Sequence, residues 1–345
     1  MRLTTAISAL MLAVAPAALA NDGFGGLTAT GLQFSETTDV QMLSEDLYLS
    51  LDTIKVAYVF RHGGDEDVTG EVIFPLPPIN LAAISESEFA IDTADLDKEN
   101  IVGFTAKVDG KAIAVSTDRI AVKDPAYDES RKASANYETP GEDITALLKS
   151  MGIPLSLNID LVSAKLKALP QAAKDTLTAK ELAFFGEDGE AMAMWSIIER
   201  YHWTQTFAHG KDVKIEHSYR SAPPGGIFVW NAPKAREPGD YQETLIKKYC
   251  IDAGTQSAIQ KALTPSDDGL YSSGIAYYLD YVLTTANTWA GPIGTFKLTI
   301  DKGDAKNVLS LCIDGIKKTG PTTFVVEKKD FTPQRDLNLL IVKRP

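Results

Sequence analysis

The chain has 345 residues, 44% of them hydrophobic, and a net charge of −12 from 34 Lys and Arg against 46 Asp and Glu. It is long enough for two domains with real cores. Its acidic balance argues against nucleic acid and anionic membrane as partners and leaves basic or neutral ones open.

The first 20 residues decide the expected compartment. Arg2 precedes the small apolar run Ala6–Ala17, and Ala18-Leu19-Ala20 leads into the polar Asn21-Asp22. This is the pattern of a cleaved secretory signal over residues 1–20. The run is shorter than the roughly 20 apolar residues a helical span needs. A periplasmic or secreted chain with no membrane span after cleavage is expected.

Residues 21–135 read as strands. Ile54, Val56, Tyr58 and Phe60 share one face by the two-residue period. His62–Asp67 reads as the turn of a hairpin whose return strand carries Val72 and Phe74 and stops at Pro75-Leu76-Pro77-Pro78. Asp109-Gly110 predicts a type I′ turn between two further strands. Lys123–Pro140 is polar and reads as a linker or surface loop. Residues 136–190 then change to helical spacing, with Ile144, Leu147, Leu148 and Met151 on one face. This part is a helical insertion or linker.

Strands return over 191–345, with a helical insert near 240–263. Tyr201, Trp203, Gln205 and Phe207 alternate along one strand, and Val213, Ile215, His217 and Tyr219 along the next. The two read as a hairpin around His209-Gly210-Lys211. Asn287, Trp289, Gly291, Pro292 and Gly294 crowd one short stretch, which reads as a corner with Trp289 folded over the end of the core. The expected fold is mainly β: two antiparallel β-sandwich domains with helical insertions.

Chemical signals are few. The four histidines show no HxH, HxxxH or HExxH spacing, so no metal site is expected. His62 and His209 fall in turns and are expected to be solvated. Nucleophile-elbow, P-loop and dinucleotide patterns are absent, and no cofactor is expected. Cys250 and Cys312 are the only cysteines, and an even count in an exported chain predicts a disulfide. The aromatic face Tyr201, Trp203 and Tyr219, with Gln205 and His217, is the candidate binding surface. The acids Glu45, Asp46 and Glu216 are the candidates for a glycan hydrolase, which needs two carboxylates about 5–9.5 Å apart.

Four segments carry a family likeness: "SEDLYLS" (Ser44–Ser50), "VAYVFRHGGDEDVTGEVIFPLP" (Val56–Pro77), "YHWTQTFAHGKDVKIEHSY" (Tyr201–Tyr219) and "NTWAGPIGTFKLTIDKG" (Asn287–Gly303). In this order they resemble the secreted bacterial family named domain of unknown function 4424. The resemblance implies export and a β-rich fold, and it brings no catalytic residues. The expected function is a non-catalytic binding or interaction module of the cell envelope, taking an envelope protein, peptide or glycan. A carbohydrate hydrolase and a structural or assembly component stand as alternatives, and the reading leans away from an enzyme.

Overall fold

The computed structural model describes residues 23–344 except 29–30, 87–94, 97, 126–137, 139–140, 222, 237–238 and 240. The expected signal peptide and most of the Lys123–Pro140 stretch lie outside the described residues.

The chain begins with β1 (Gly23–Thr28) and β2 (Gly31–Phe34), then β3 (Val40–Ser50), β4 (Thr53–His62) and β5 (Val68–Pro75). Proline has no N–H for the ladder, so the run Pro75-Leu76-Pro77-Pro78 ends β5 before the short β6 (Ile79–Asn80) and α1 (Leu81–Glu86). β7 (Thr105–Val108) and β8 (Lys111–Ile113) pair as expected, and Asp109 and Gly110 hold φ at 49° and 76°. Positive φ at both positions is what a type I′ turn requires.

β9 (Ser116–Lys123) and β10 (Glu142–Asp143) lead to α2 (Thr145–Ser150), α3 (Ile159–Lys167) and α4 (Gln171–Ala179). Asn158 caps α3 by accepting from the Leu161 N–H at 3.1 Å. β11 (Ala183–Phe185) and β12 (Ala191–Ala193) form a small ribbon of their own. Glu181 at φ 56° follows the end of α4 and turns the chain toward β11.

β13 (Ser196–Phe207), β14 (Asp212–Arg220) and β15 (Gly225–Asn231) precede α5 (Tyr241–Lys248) and α6 (Ala253–Ala262). The chain closes with β16 (Thr264–Pro265), β17 (Tyr271–Tyr281), β18 (Ile293–Asp301), β19 (Val308–Leu311), β20 (Lys317–Lys318), β21 (Thr323–Phe331) and β22 (Leu337–Lys343).

The fold is mainly β, in several largely antiparallel sheets with few helices. The large sheet runs β20-β21-β18-β3-β4-β14-β7-β8. A second runs β10-β9-β13-β5-β1-β2, with β6 beside β13, and a third runs β15-β17-β22-β19, with β16 beside β17. β3 and β18 pair in parallel. Strands from before residue 135 and after residue 191 occur together in each of the two larger sheets, so those boundaries do not separate the sheets.

Two expected hairpins are corrected. β4 and β5 do not pair, and neither do β13 and β14. Each pair is an arch: β4 and β14 sit side by side in the large sheet, β5 and β13 side by side in the second. The two arch loops are stitched together, with Gly210 N–H donating to His62 O at 3.2 Å and His209 N–H to Asp67 Oδ1 at 2.8 Å. His62, expected in solvent, is therefore buried at the end of β4, while His209 is exposed.

One apolar cluster joins the inner faces of all three sheets. The third sheet contributes Leu279, Tyr281, Leu337 and Leu339 to it. Its other face carries Ala276, Leu340 and Val342, covered by Leu245 and Tyr249 at α5 and Ile259 of α6. Trp289 is buried, as the corner reading requires, with ring centroids 4.4 Å from Phe60 and 5.6 Å from Phe207. Gly294 is needed beside it: a Cβ there would lie 2.7 Å from Leu43 O, where β3 bulges between Met42 and Ser44.

Cys250 and Cys312 are joined in a disulfide. Cys250 follows the last turn of α5 at φ 51°, and Ile251 N–H donates back to Ile246 O at 3.0 Å. A left-handed residue of this kind ends many helices and is usually glycine. Here the position keeps a side chain, which reaches the loop after β19.

Candidate functional site

A cavity of about 510 Å³ opens where the three sheets meet α5. Two proline pairs shape it. Pro77-Pro78 ends the second sheet's strand β5, and Pro223-Pro224 turns the chain from β14 to β15. Proline presents an apolar wall with a fixed φ and no N–H to satisfy. The Pro224 carbonyl accepts from Tyr278 N–H at 2.9 Å, which fixes that wall to β17.

The opposite wall is α5. Tyr241, Thr244, Leu245 and Lys248 recur at three- and four-residue spacing and face the cavity, followed by Tyr249. β14 contributes Tyr219, and β17 contributes Tyr278, Leu279 and Asp280. Burial pushes the Tyr249 and Tyr278 hydroxyls above the ordinary phenol range, with Asp280 adding at Tyr249 and Tyr241 at Tyr278. Both stay protonated at any working pH and can donate to a bound group.

The charged groups form one pair. Lys248 Nζ lies 3.0 Å from Asp280 Oδ2, and Asn338 Nδ2 donates to Asp280 Oδ1 at 2.9 Å. Lys248 is 41% exposed and Asp280 34%, so the pair is reachable by water and by ligand. The lining is otherwise largely apolar and aromatic, with Asn80, Ser221 and Thr244 as further polar groups. An apolar enclosure with a few converging polar groups is the usual form of a small-molecule site.

The expected aromatic face fares differently, residue by residue. Tyr219 lines the cavity. Tyr201, Trp203 and His217 are interior: Trp203 and His217 meet at 5.2 Å across the gap between sheets, and Tyr201 stacks on Phe104 at 4.5 Å. Alternation gave both strands an inner face, and the arch turns those faces toward each other instead of toward a ligand. Gln205 is partly exposed and donates to Thr206 O at 2.6 Å. Tyr201 OH donates to Glu199, which Arg119 also binds at 2.8 Å. His202 faces the other side of its sheet, with Nδ1 2.7 Å from Glu71.

The three candidate acids do not share a cleft. Glu45 points inward and is 1% exposed. Asp46 and Glu216 lie on the outer face of the large sheet, both in register with Ala57, and Lys297 Nζ binds Asp46 at 2.8 Å. Among the described residues, no group of three or more His, Cys, Asp and Glu is placed to hold a metal ion. No described helix is long and apolar enough to cross a membrane.

Apart from Tyr219, the cavity residues were not among the binding candidates read from the sequence. Their signals were the proline pairs at the ends of β5 and β14 and the tyrosines of α5, each of which also fits a plain structural role.

Among solved structures, the chain is similar to a Legionella pneumophila protein provisionally described as nutrient-binding. Identity is 15% and the TM-score 0.43, covering 94% of this chain and 71% of that one. It is also similar to an M1 zinc metallopeptidase from Deinococcus radiodurans, at 6% identity and a TM-score of 0.26. That likeness covers 89% of this chain and 43% of the peptidase. Comparison with curated proteins finds no match. The family model for the domain of unknown function DUF4424 matches residues 20–340, and the chain belongs to that family.

Proposed function

We propose that this protein is an exported, non-catalytic binding module that holds a small, largely apolar molecule with one polar end. The observation that supports it is the 510 Å³ cavity, with tyrosine and proline walls and the Lys248–Asp280 pair in its lining. Its volume falls within the range of roughly 300–1,000 Å³ common to small-molecule sites. The apolar body would displace water from Leu76, Leu245 and Leu279, and the polar end would bond Lys248 or Asp280. The leader-like residues 1–20 and the Cys250–Cys312 bridge favour export, since disulfides persist in oxidising compartments.

The test is a fluorescence titration with the neutral apolar probe N-phenylnaphthylamine. Saturable one-to-one binding is expected, weakened about tenfold or more by Thr244→Trp, which fills the cavity from α5 (a loss of about 1.4 kcal/mol or more). Equal binding by both proteins, or none by either, would remove the support.

A second reading has one specific observation behind it. β15 is an edge strand, and Ile227 and Val229 on it are 86% and 49% exposed. An exposed apolar edge suits strand addition by a partner, as an assembly component would use.

A further inference from the structure

A separate open cleft of about 430 Å³ lies between α6, the loop after β18 and the end of β22. Four cations line it, Lys261, Lys302, Lys306 and Arg344, and among the described residues no carboxylate does. This is notable in a chain of net charge −12. Lys261, Lys306 and Arg344 are exposed and make no ion pair with a described residue. Grouping like charges is unfavourable, and a cleft concentrates the field they make.

The arrangement is braced. Lys302 is 5% exposed, and its Nζ donates to Ala305 O at 2.8 Å and also to Asn307 O. Asn307 returns a bond from Nδ2 to Lys302 O at 2.8 Å and accepts from Arg344 N–H at 3.3 Å. One asparagine therefore ties the lysine loop to the terminal strand, and the cations stand around the cleft before anything binds. Burial, and then Lys318, hold the Lys302 ammonium below the ordinary lysine range, with Asp304 opposing. A bound anion would favour the charged ammonium and so oppose that lowering.

We propose that this cleft binds the phosphate group of a small, soluble phosphate ester. A guanidinium presents a planar fork that matches two phosphate oxygens, and lysines add point charges around it. Thr255 at the start of α6 adds a hydroxyl to the lining. The acidic chain as a whole disfavours approach to an anionic bilayer, which directs the proposal to a soluble ligand.

Titration calorimetry with glycerol phosphate tests this, with co-sedimentation on phosphatidylglycerol vesicles as a second arm. Saturable binding of glycerol phosphate is expected, along with no pelleting. The double variant Lys306→Ala, Arg344→Ala should weaken binding about tenfold or more. The control Lys107→Ala, Lys111→Ala removes the same charge from the exposed β7–β8 hairpin and should leave binding unchanged. Pelleting that the cleft variant abolishes would overturn the soluble source in favour of a lipid headgroup. No binding of either probe, or equal loss in the control, would overturn the cleft itself.

Discussion

Glu45 is held where its charged form is disfavoured. It sits on the inner face of β3, in register with Tyr58 and Phe296, and neither carboxyl oxygen has a hydrogen-bond partner among the described residues. Burial pushes its pKa up from 4.5 to about 8. Between those values the folded chain keeps a proton that the unfolded chain has released. Stability contributed by Glu45 therefore falls as pH rises from about 4.5 to about 8. His217 acts with the opposite sign. Burial lowers it from 6.5 to about 3, so stability is lost as pH falls through that window. Asp336, pushed up from 3.8 to about 6 by burial, adds to the Glu45 side over its own range. Glu45→Gln isolates one contribution. Its stability gain over the parent should grow by about 1.4 kcal/mol per pH unit across the window, reaching about 3 kcal/mol near neutrality. Urea denaturation at a series of pH values measures this. A gain that does not vary with pH would mean that the folded chain does not hold Glu45 neutral.

At the scale of elements, the bridge between α5 and the loop after β19 couples stability to the cavity. Cys250 and Cys312 are 62 residues apart in sequence. On a chain-entropy account, closing a loop of that length stabilises by about 4 kcal/mol. The double variant Cys250→Gly, Cys312→Ser should lose that amount in denaturant unfolding. Glycine at position 250 keeps the positive φ without strain, so the loss reports the bridge and not the helix end. The same variant should weaken N-phenylnaphthylamine binding, because α5 forms a cavity wall. Unchanged binding would show that packing on Leu245 and Tyr249 holds the helix without the bridge.

The elements also show what could be read in advance. Strand and helix positions largely followed from periodicity, and the Asp109-Gly110 turn and the buried Trp289 corner from their turn-forming residues. Pairing did not. Alternation in β13 and β14 places Trp203 and His217 on inner faces whether the strands lie side by side or face each other. His62-Gly63-Gly64 and His209-Gly210 suit both geometries. The cavity was hidden for a related reason: Pro77, Pro223 and Tyr278 come from segments far apart in sequence, and only the meeting of three sheets gathers them.

For the whole molecule, the interleaved sheets make a sharp prediction. A chain ending at residue 190 lacks β14 between β4 and β7, β13 between β5 and β9, and β18 beside β3. Neither 21–190 nor 191–345 should unfold cooperatively when made alone, as followed by circular dichroism with temperature. A sharp transition in either piece would identify a half that folds by itself.

The parallel pairing of β3 with β18 has a consequence in time. Asp46 and Lys297, bonded across it, are 251 residues apart. At synthesis rates of roughly 5–20 residues per second, β3 waits on the order of 10–50 s for its neighbour. Sheets closed by such distant segments also form slowly once the chain is complete. The nascent protein thus has a long interval in which one edge of β3 is unpaired while β4 covers the other.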